Sequence, residues 1–393
     1  PVHTRTVLLP SYAFQRKRYW LEGRKAAGEL MPGQKRGRND LSGYYVSKPD
    51  GSHHHFIPMG PSHQGYLKDH LIHGQVIAAG AFSIGTVLAV AEEHWAEDGF
   101  SLESIQFMRP LFADRDTALQ VILEPRSGAQ SFDFKILTLE EDDEGDEDWA
   151  VYVEGSIVVG VPTPGTEITL SEAKERCTRA VDVEAHYGEL AAVHIVWGPT
   201  WCWTEEALGG EDMADGGLVR LGPPDGVIAG NVPLHPVVID NGFAASGIAV
   251  KGSGEDDTPQ LPFMVEAIRW YRQPTGSVWC YNEPIEVGED RSRFNLTFWD
   301  EAGERIAEII GFTIKRAPEQ VMLGTTGAGA IDKLRFKLDW RTVEPPKVDL
   351  EGRWVLLDPG RGSEADAIVE HLDGHGITLE AVDSLADLNV DEP

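Results

Sequence analysis

His70-Leu71-Ile72-His73-Gly74-Gln75-Val76-Ile77-Ala78-Ala79-Gly80 decides how this chain is read. A histidine sits on an apolar run, with glycine four residues on. The run opens into Ala81-Phe82-Ser83-Ile84-Gly85-Thr86-Val87-Leu88-Ala89-Val90, an apolar helix of small residues predicted over Gly80 to Trp95. Alone, one histidine on an apolar face reads as a satisfied core residue. A second segment, His235-Pro236-Val237-Val238-Ile239-Asp240-Asn241-Gly242-Phe243, changes that reading by offering a carboxylate in matching surroundings. One imidazole and one carboxyl, each beside an apolar helix, are the pair that general acid–base chemistry uses.

The rest of the chain bounds the possibilities. Its 393 residues suffice for two or three domains or one large double domain, and 41% hydrophobic content supports a packed core. A net charge of −30 argues against nucleic acid as partner, because phosphate binding needs clustered Lys and Arg. The three cysteines, Cys177, Cys202 and Cys280, are too widely spaced for a disulfide framework or a zinc site, which points to a reducing cytoplasm. Gln75 to Ala91, the longest run without charge or histidine, is too short and glycine-bearing to span a membrane. No secretory leader is visible, and an opening without Met reads as a piece of a larger polypeptide.

Residues 1–38 carry nine Lys/Arg against two Glu, opposite to the remainder. Within them, Leu9 to Trp20 mixes aromatic and basic residues and reads as a linker packed on a neighbour. Gly23 to Arg38 reads as a flexible connector. Strands are expected at Phe100–Phe107, Ala118–Leu123, Ser131–Leu137 and Trp149–Val158. Glu140 to Asp148 is acidic at eight of nine positions but lacks the ligand spacing of an EF-hand, and is expected to form an exposed hairpin tip. Ser52-His53-His54-His55 is read as an exposed loop, since three contiguous histidines rarely surround one ion. No metal site is expected.

Ser171 to about Ala192 is predicted helical, after which the first half's logic returns. The segment with the acid leads into a helix expected over Asp240 to Val250. Strands follow at Phe263–Tyr271, Ser277–Tyr281, Arg293–Trp299 and Arg305–Ile314, the last two joined by an Asp300-Glu301-Ala302-Gly303 turn. Two units, each one helix wrapped by an antiparallel sheet, imply a duplicated α+β fold. Val321 to Asp332 reads as linker, Gly352 to Gly362 as strand and glycine turn, and Ser363 to Leu372 as helix. The Gly-x-Gly at Gly360 lacks a third glycine, so no dinucleotide cofactor is expected there.

These segments resemble the dehydratase-family domain of a modular type I polyketide synthase. His70-x3-Gly74 matches the front of the family's His-x3-Gly-x4-Pro motif, Trp197-Gly198-Pro199-Thr200-Trp201 its Tyr-Gly-Pro-x-Phe motif, and Asp240-x3-Ala244 its Asp-x3-Gln/His motif. Asp300-x-x-Gly303 with Gly311-Phe312-x-Ile314-Lys315 resembles the closing strands. Leu9 to Trp20 resembles a post-acyltransferase linker, and Trp340 onward the start of a ketoreductase structural region. The resemblance implies a double hotdog: a linker at 1–40, an N-terminal hotdog at 41–165, a C-terminal hotdog at 166–318, and linker plus ketoreductase-like start at 319–393. It also implies a homodimer and an acyl substrate on the phosphopantetheine of an acyl carrier protein, with acyltransferase and ketoreductase domains as neighbours and no cofactor of the domain's own. His70 is then the base and Asp240 the acid, with Gly74, Ala79, Gly80, Trp197, Gly198, Pro199, Trp201, Phe243 and Ala244 shaping or lining the substrate tunnel. Gly74 is expected to allow close approach of the thioester.

Three departures from the family pattern bear on the chemistry: Ala79 for proline, Trp197 for tyrosine and Ala244 for Gln/His. The last two remove polar side chains near Asp240, so the acid is expected to lose its orientation. Misplacement by about 1 Å can cost about 10²-fold in rate. The expectation is therefore an enoyl isomerase that shuttles one proton through His70 and moves an α,β double bond to β,γ. Water elimination from a 3-hydroxyacyl thioester is the alternative, followed by a cyclase or a non-catalytic module.

Overall fold

The computed structural model describes residues 33–127, 130–141, 147–227, 230–249, 258–288, 290–318, 354–357 and 379–382. Residues 1–32, the acidic tip at 142–146 and the linker Val321 to Asp332 lie outside the described residues. So do most of the C-terminal expectations, Ser363 to Leu372 included.

The first half contains β1 (Gln34–Arg36), β2 (Tyr44–Ser47), β3 (His53–Met59), β4 (His70–Ile72), β5 (Gln75–Ala78) and helix α1 (Gly80–Trp95). It continues with β6 (Phe100–Phe107), β7 (Leu111–Phe112), β8 (Thr117–Pro125), β9 (Ser131–Glu141) and β10 (Glu147–Val159). The second half begins with α2 (Leu170–Arg176), β11 (Arg179–Ala180), α3 (Val183–Ala192), β12 (Ile195–Trp197), β13 (Thr204–Gly209) and β14 (Gly217–Leu221). Helices α4 (Pro236–Ala244) and α5 (Ser246–Ala249) precede β15 (Gln260–Trp270), β16 (Val278–Val287), β17 (Arg291–Trp299) and β18 (Arg305–Arg316). In a separate C-terminal unit, β19 (Trp354–Leu357) pairs in parallel with β20 (Leu379–Val382).

One sheet of fourteen strands runs β1-β2-β3-β8-β9-β10-β6-β15-β18-β17-β16-β14-β13-β11. The halves join where β6 pairs antiparallel with β15, Val265 opposite Ile105 and Ile268 opposite Leu102. Each half wraps a predominantly apolar helix: Ala81 to Ala91 of α1 and Pro236 to Phe243 of α4 are buried without interruption. Such helices are stable only inside a core. Strand alternation supplies the opposing face, as with Leu119, Val121 and Leu123 of β8. This is the helix-in-sheet duplication that the sequence implies.

The two helices approach closely because α1 carries Gly85, where a Cβ would lie 2.9 Å from a Pro236 ring carbon of α4. The segment between the halves is held by Glu308 of β18, which is fully buried. Its carboxylate accepts from the Gly165 and Thr166 backbone N–H groups, the Thr166 hydroxyl and the Tyr271 hydroxyl. Arg305 Nη1 lies 2.6 Å away and completes the charge balance. Burial works to raise the Glu308 pKa, but these hydrogen bonds outweigh it and the net displacement is downward.

Three local expectations are corrected. The helix predicted over Ser171 to Ala192 is two helices, because Arg179–Ala180 breaks away to pair with β13; Thr169 and Asp182 cap the two starts. The helix predicted from Asp240 begins at Pro236, where proline at its first turn lacks only an N–H that would be unpaired anyway, and it ends at Ala244. His53 to His55 form not a loop but the start of β3, with His55 fully buried. His55 Nδ1 donates to the Ser42 carbonyl at 2.8 Å, leaving Nε2 to accept from His94 Nε2 at 2.8 Å. Burial pushes His55 down to about 4 and His94 to about 3.

Two outcomes follow. Gly85→Val overpacks the helix crossing and should cost about 1–3 kcal/mol in urea unfolding. The unfolded chain protonates these histidines near pH 6.5 whereas the folded chain resists protonation down to about 4, so stability falls as pH drops through that window. The slope is up to about 1.4 kcal/mol per pH unit for each such histidine. His94→Gln, which keeps a donor toward His55, should flatten the urea midpoint's pH dependence between pH 6.5 and 4.5.

Candidate active site

His70 opens β4, and its neighbours are fixed by backbone pairing. β4 turns into β5 through His73-Gly74, whose φ values of 49° and 73° form a two-residue hairpin. Nothing lies within 4 Å of a Cβ placed on Gly74, and Gly74 does not line the cavity described below. Its glycine serves the left-handed turn, not the close approach of a thioester. The hairpin brings the Ile77 carbonyl oxygen 2.7 Å from His70 Nδ1. A carbonyl only accepts, so Nδ1 carries the proton and the neutral ring leaves Nε2 with a free lone pair.

On its other edge β4 pairs with β12 from the second half, Trp197 opposite His70. The loop after β12 is bound to the residue before His70: Gly198 N–H donates to the Asp69 carbonyl at 2.7 Å, and the Thr200 hydroxyl and N–H both donate to the Asp69 carboxylate. A Cβ on Gly198 would strike that carboxylate. Gly198 therefore shapes the loop from behind, and Pro199 is exposed. Trp201 is fully buried beneath Asp240, and neither it, Gly198 nor Pro199 lines the cavity.

Asp240 lies on α4, 7% exposed, with Oδ2 3.4 Å from His70 Nε2. The indole N–H of Trp201 donates to the same oxygen at 2.9 Å. The expected loss of a holding partner for Asp240 is thus not what the structure contains: an indole from the loop replaces the missing polar side chains. Trp197 does not play that part. Its ring centroid is 6.3 Å from that of His70, and its buried Nε1 has no hydrogen-bond partner.

His70 and Asp240 face one cavity of about 970 Å³. Ala79, Gly80, Trp197, Phe243 and Ala244 line it, together with Phe107, Phe312 and His186, which sequence reasoning missed. Burial lowers His186 to about 4, keeping it neutral, and its Nδ1 has no partner. His235 is the N-cap of α4, accepting from Val237 N–H, and burial holds it at about 4. His73 lies beside His194, their ring centroids 4.8 Å apart and their planes tilted by 32°. Among the described residues no cluster of three or more His, Cys, Asp or Glu could hold a metal ion, and no helix is long and apolar enough to cross a membrane.

Residues 41–139 match the family model described as polyketide synthase dehydratase domain, and residues 166–323 that described as polyketide synthase dehydratase N-terminal domain. The chain is 25% identical over 385 residues to polyketide synthase PksL of Bacillus subtilis (strain 168), covering 93% of this chain but only 8% of that protein. The dehydratase domain from the CurJ module of curacin polyketide synthase superposes with a TM-score of 0.64 at 24% identity, over 72% of this chain and 99% of that one. The CurK dehydratase, solved as an inactive aspartate-to-asparagine mutant, gives 0.63 at 19% identity over 72% and 99%. The two-helix architecture and the matched family models together place the chain in the dehydratase family of modular polyketide synthases, as a double-hotdog domain.

Proposed function

We propose that this domain eliminates water from a 3-hydroxyacyl thioester carried on the phosphopantetheine of an acyl carrier protein. The observation that carries the reading is the convergence of His70 Nε2 and Asp240 on one buried cavity, with the carboxyl held by Trp201. His70 Nε2 takes the α-proton as base, and the Cα–H electron pair becomes the new double bond as the β C–O bond breaks. Asp240 gives its proton to the departing oxygen, which leaves as water. That step leaves an imidazolium with Nε2 3.4 Å from Oδ2 of the carboxylate, and relay of the Nε2 proton through the departing water to Oδ1 restores both groups. The start of α1, flanked by Ala79 without a side-chain cap, offers backbone N–H groups to the thioester oxygen as enolate charge develops. The inactive aspartate variant of the CurK dehydratase supports a carboxyl role in the family.

Double-bond migration is the second reading. Ala244 and Trp197 favour it, because both leave the cavity beside Asp240 without the polar side chains of the family pattern. We further propose that residues 41–318 form the working unit, that it acts as a cytoplasmic homodimer, and that acyltransferase and ketoreductase domains flank it.

The two readings separate on substrate. With 3-hydroxyacyl-pantetheine the chain should form the 2-enoyl product, and His70→Ala and Asp240→Asn should each lower the rate about 10²–10⁴-fold. No water loss, together with deuterium entering the γ-carbon of a 2-enoyl substrate, would replace elimination by isomerisation. Undiminished turnover by His70→Ala would remove the assignment of the base.

A further inference from the structure

We infer that Trp201 is the positioning residue of the acid, dividing the two oxygens of Asp240 between two tasks. This rests on the reading of Asp240 as the proton donor in elimination. The indole N–H is a donor only, so the oxygen it holds at 2.9 Å, Oδ2, must be an acceptor. The carbonyl oxygen of a carboxylic acid accepts far better than its hydroxyl oxygen, so the acid form is favoured with the proton on Oδ1, the oxygen to which no indole is bound. When Oδ1 surrenders that proton to the leaving hydroxyl, the charge spreads onto Oδ2, where the N–H already points. The donor thus faces the oxygen onto which charge spreads as the proton leaves.

The arrangement is rigid. Trp201 is fully buried, and its backbone N–H donates to the Gly198 carbonyl at 2.9 Å. Its carbonyl accepts from Asn241 Nδ2 at 2.9 Å, tying the loop to the residue next to Asp240. Its ring lies 4.8 Å from that of His70, so one side chain packs on the base and bonds to the acid. Because Trp201 does not line the cavity, its effect reaches the substrate through the two residues it touches, Asp240 by a hydrogen bond and His70 by packing.

Trp201→Phe keeps a ring and removes the donor. It should lower kcat for elimination about 10- to 100-fold with KM unchanged. The limb of the pH–kcat profile that reports the carboxyl should move upward by about one pH unit. Ala244 sits one helical turn beyond Asp240 and lines the same cavity, so Ala244→Gln in the Trp201→Phe background supplies a new donor on that face and should recover part of kcat. An unchanged kcat, or a fall in kcat with the limb unmoved, overturns the inference. Should Trp201→Phe fail to fold, indole-¹⁵N labelling of the wild-type chain decides: one indole N–H signal should follow the carboxyl titration and lose that response in Asp240→Asn. A full set of indole signals indifferent to Asp240→Asn overturns it. If the wild-type chain eliminates no water while that indole still responds to Asp240, the elimination reading fails and the hydrogen-bond assignment stands.

Discussion

The antiparallel pairing of β6 with β15 is the constraint on which the molecule depends. Each half owns a buried helix, and joining the sheets edge to edge gives both helices one continuous wall. It also removes two exposed strand edges at the centre of the molecule. With the walls joined, α1 and α4 must lie side by side, and Gly85 against Pro236 sets how close they come. The site lies where the two halves meet: β4, which leads through β5 into α1, supplies His70, and the middle of α4 supplies Asp240. Neither half contains both groups, so the proposed chemistry depends on the duplication.

Much of this is legible in the residues. The bounds of α1 and of β6 follow from an uninterrupted apolar run and from alternation, and the strands at β9, β10, β17 and β18 differ from expectation chiefly in length. What escapes is set by distant partners. The break between α2 and α3 exists because Arg179 and Ala180 find β13, and the burial of His55 exists because His94 waits at the end of α1. Periodicity along one segment carries no information about either.

The site divides in the same way. The residue types at 70 and 240 announce acid–base chemistry, and the structure sets them side by side. The Ile77 carbonyl that fixes the His70 tautomer is backbone, and any residue at 77 would offer it. Trp201 occupies a position where the family pattern has phenylalanine, and an indole there reads as bulk until the β4–β12 pairing shows where its N–H points. Read by side-chain type alone, the loss of polar groups at 197 and 244 weakens the acid; with geometry added, the hydrogen bond has moved to a different residue.

The loop from Trp197 to Trp201 touches both members of the pair, opposing His70 at one end and holding Asp240 at the other, with Asp69 pinning its middle. Its length acts as a gauge for the site. A side chain within it can be exchanged, as an indole has been, while inserting or deleting one residue would put the two ends out of step with a strand on one side and a helix on the other. The count of residues between Trp197 and Trp201 is thus fixed by the strand at one end and the helix at the other, while Trp197 also forms part of the cavity wall.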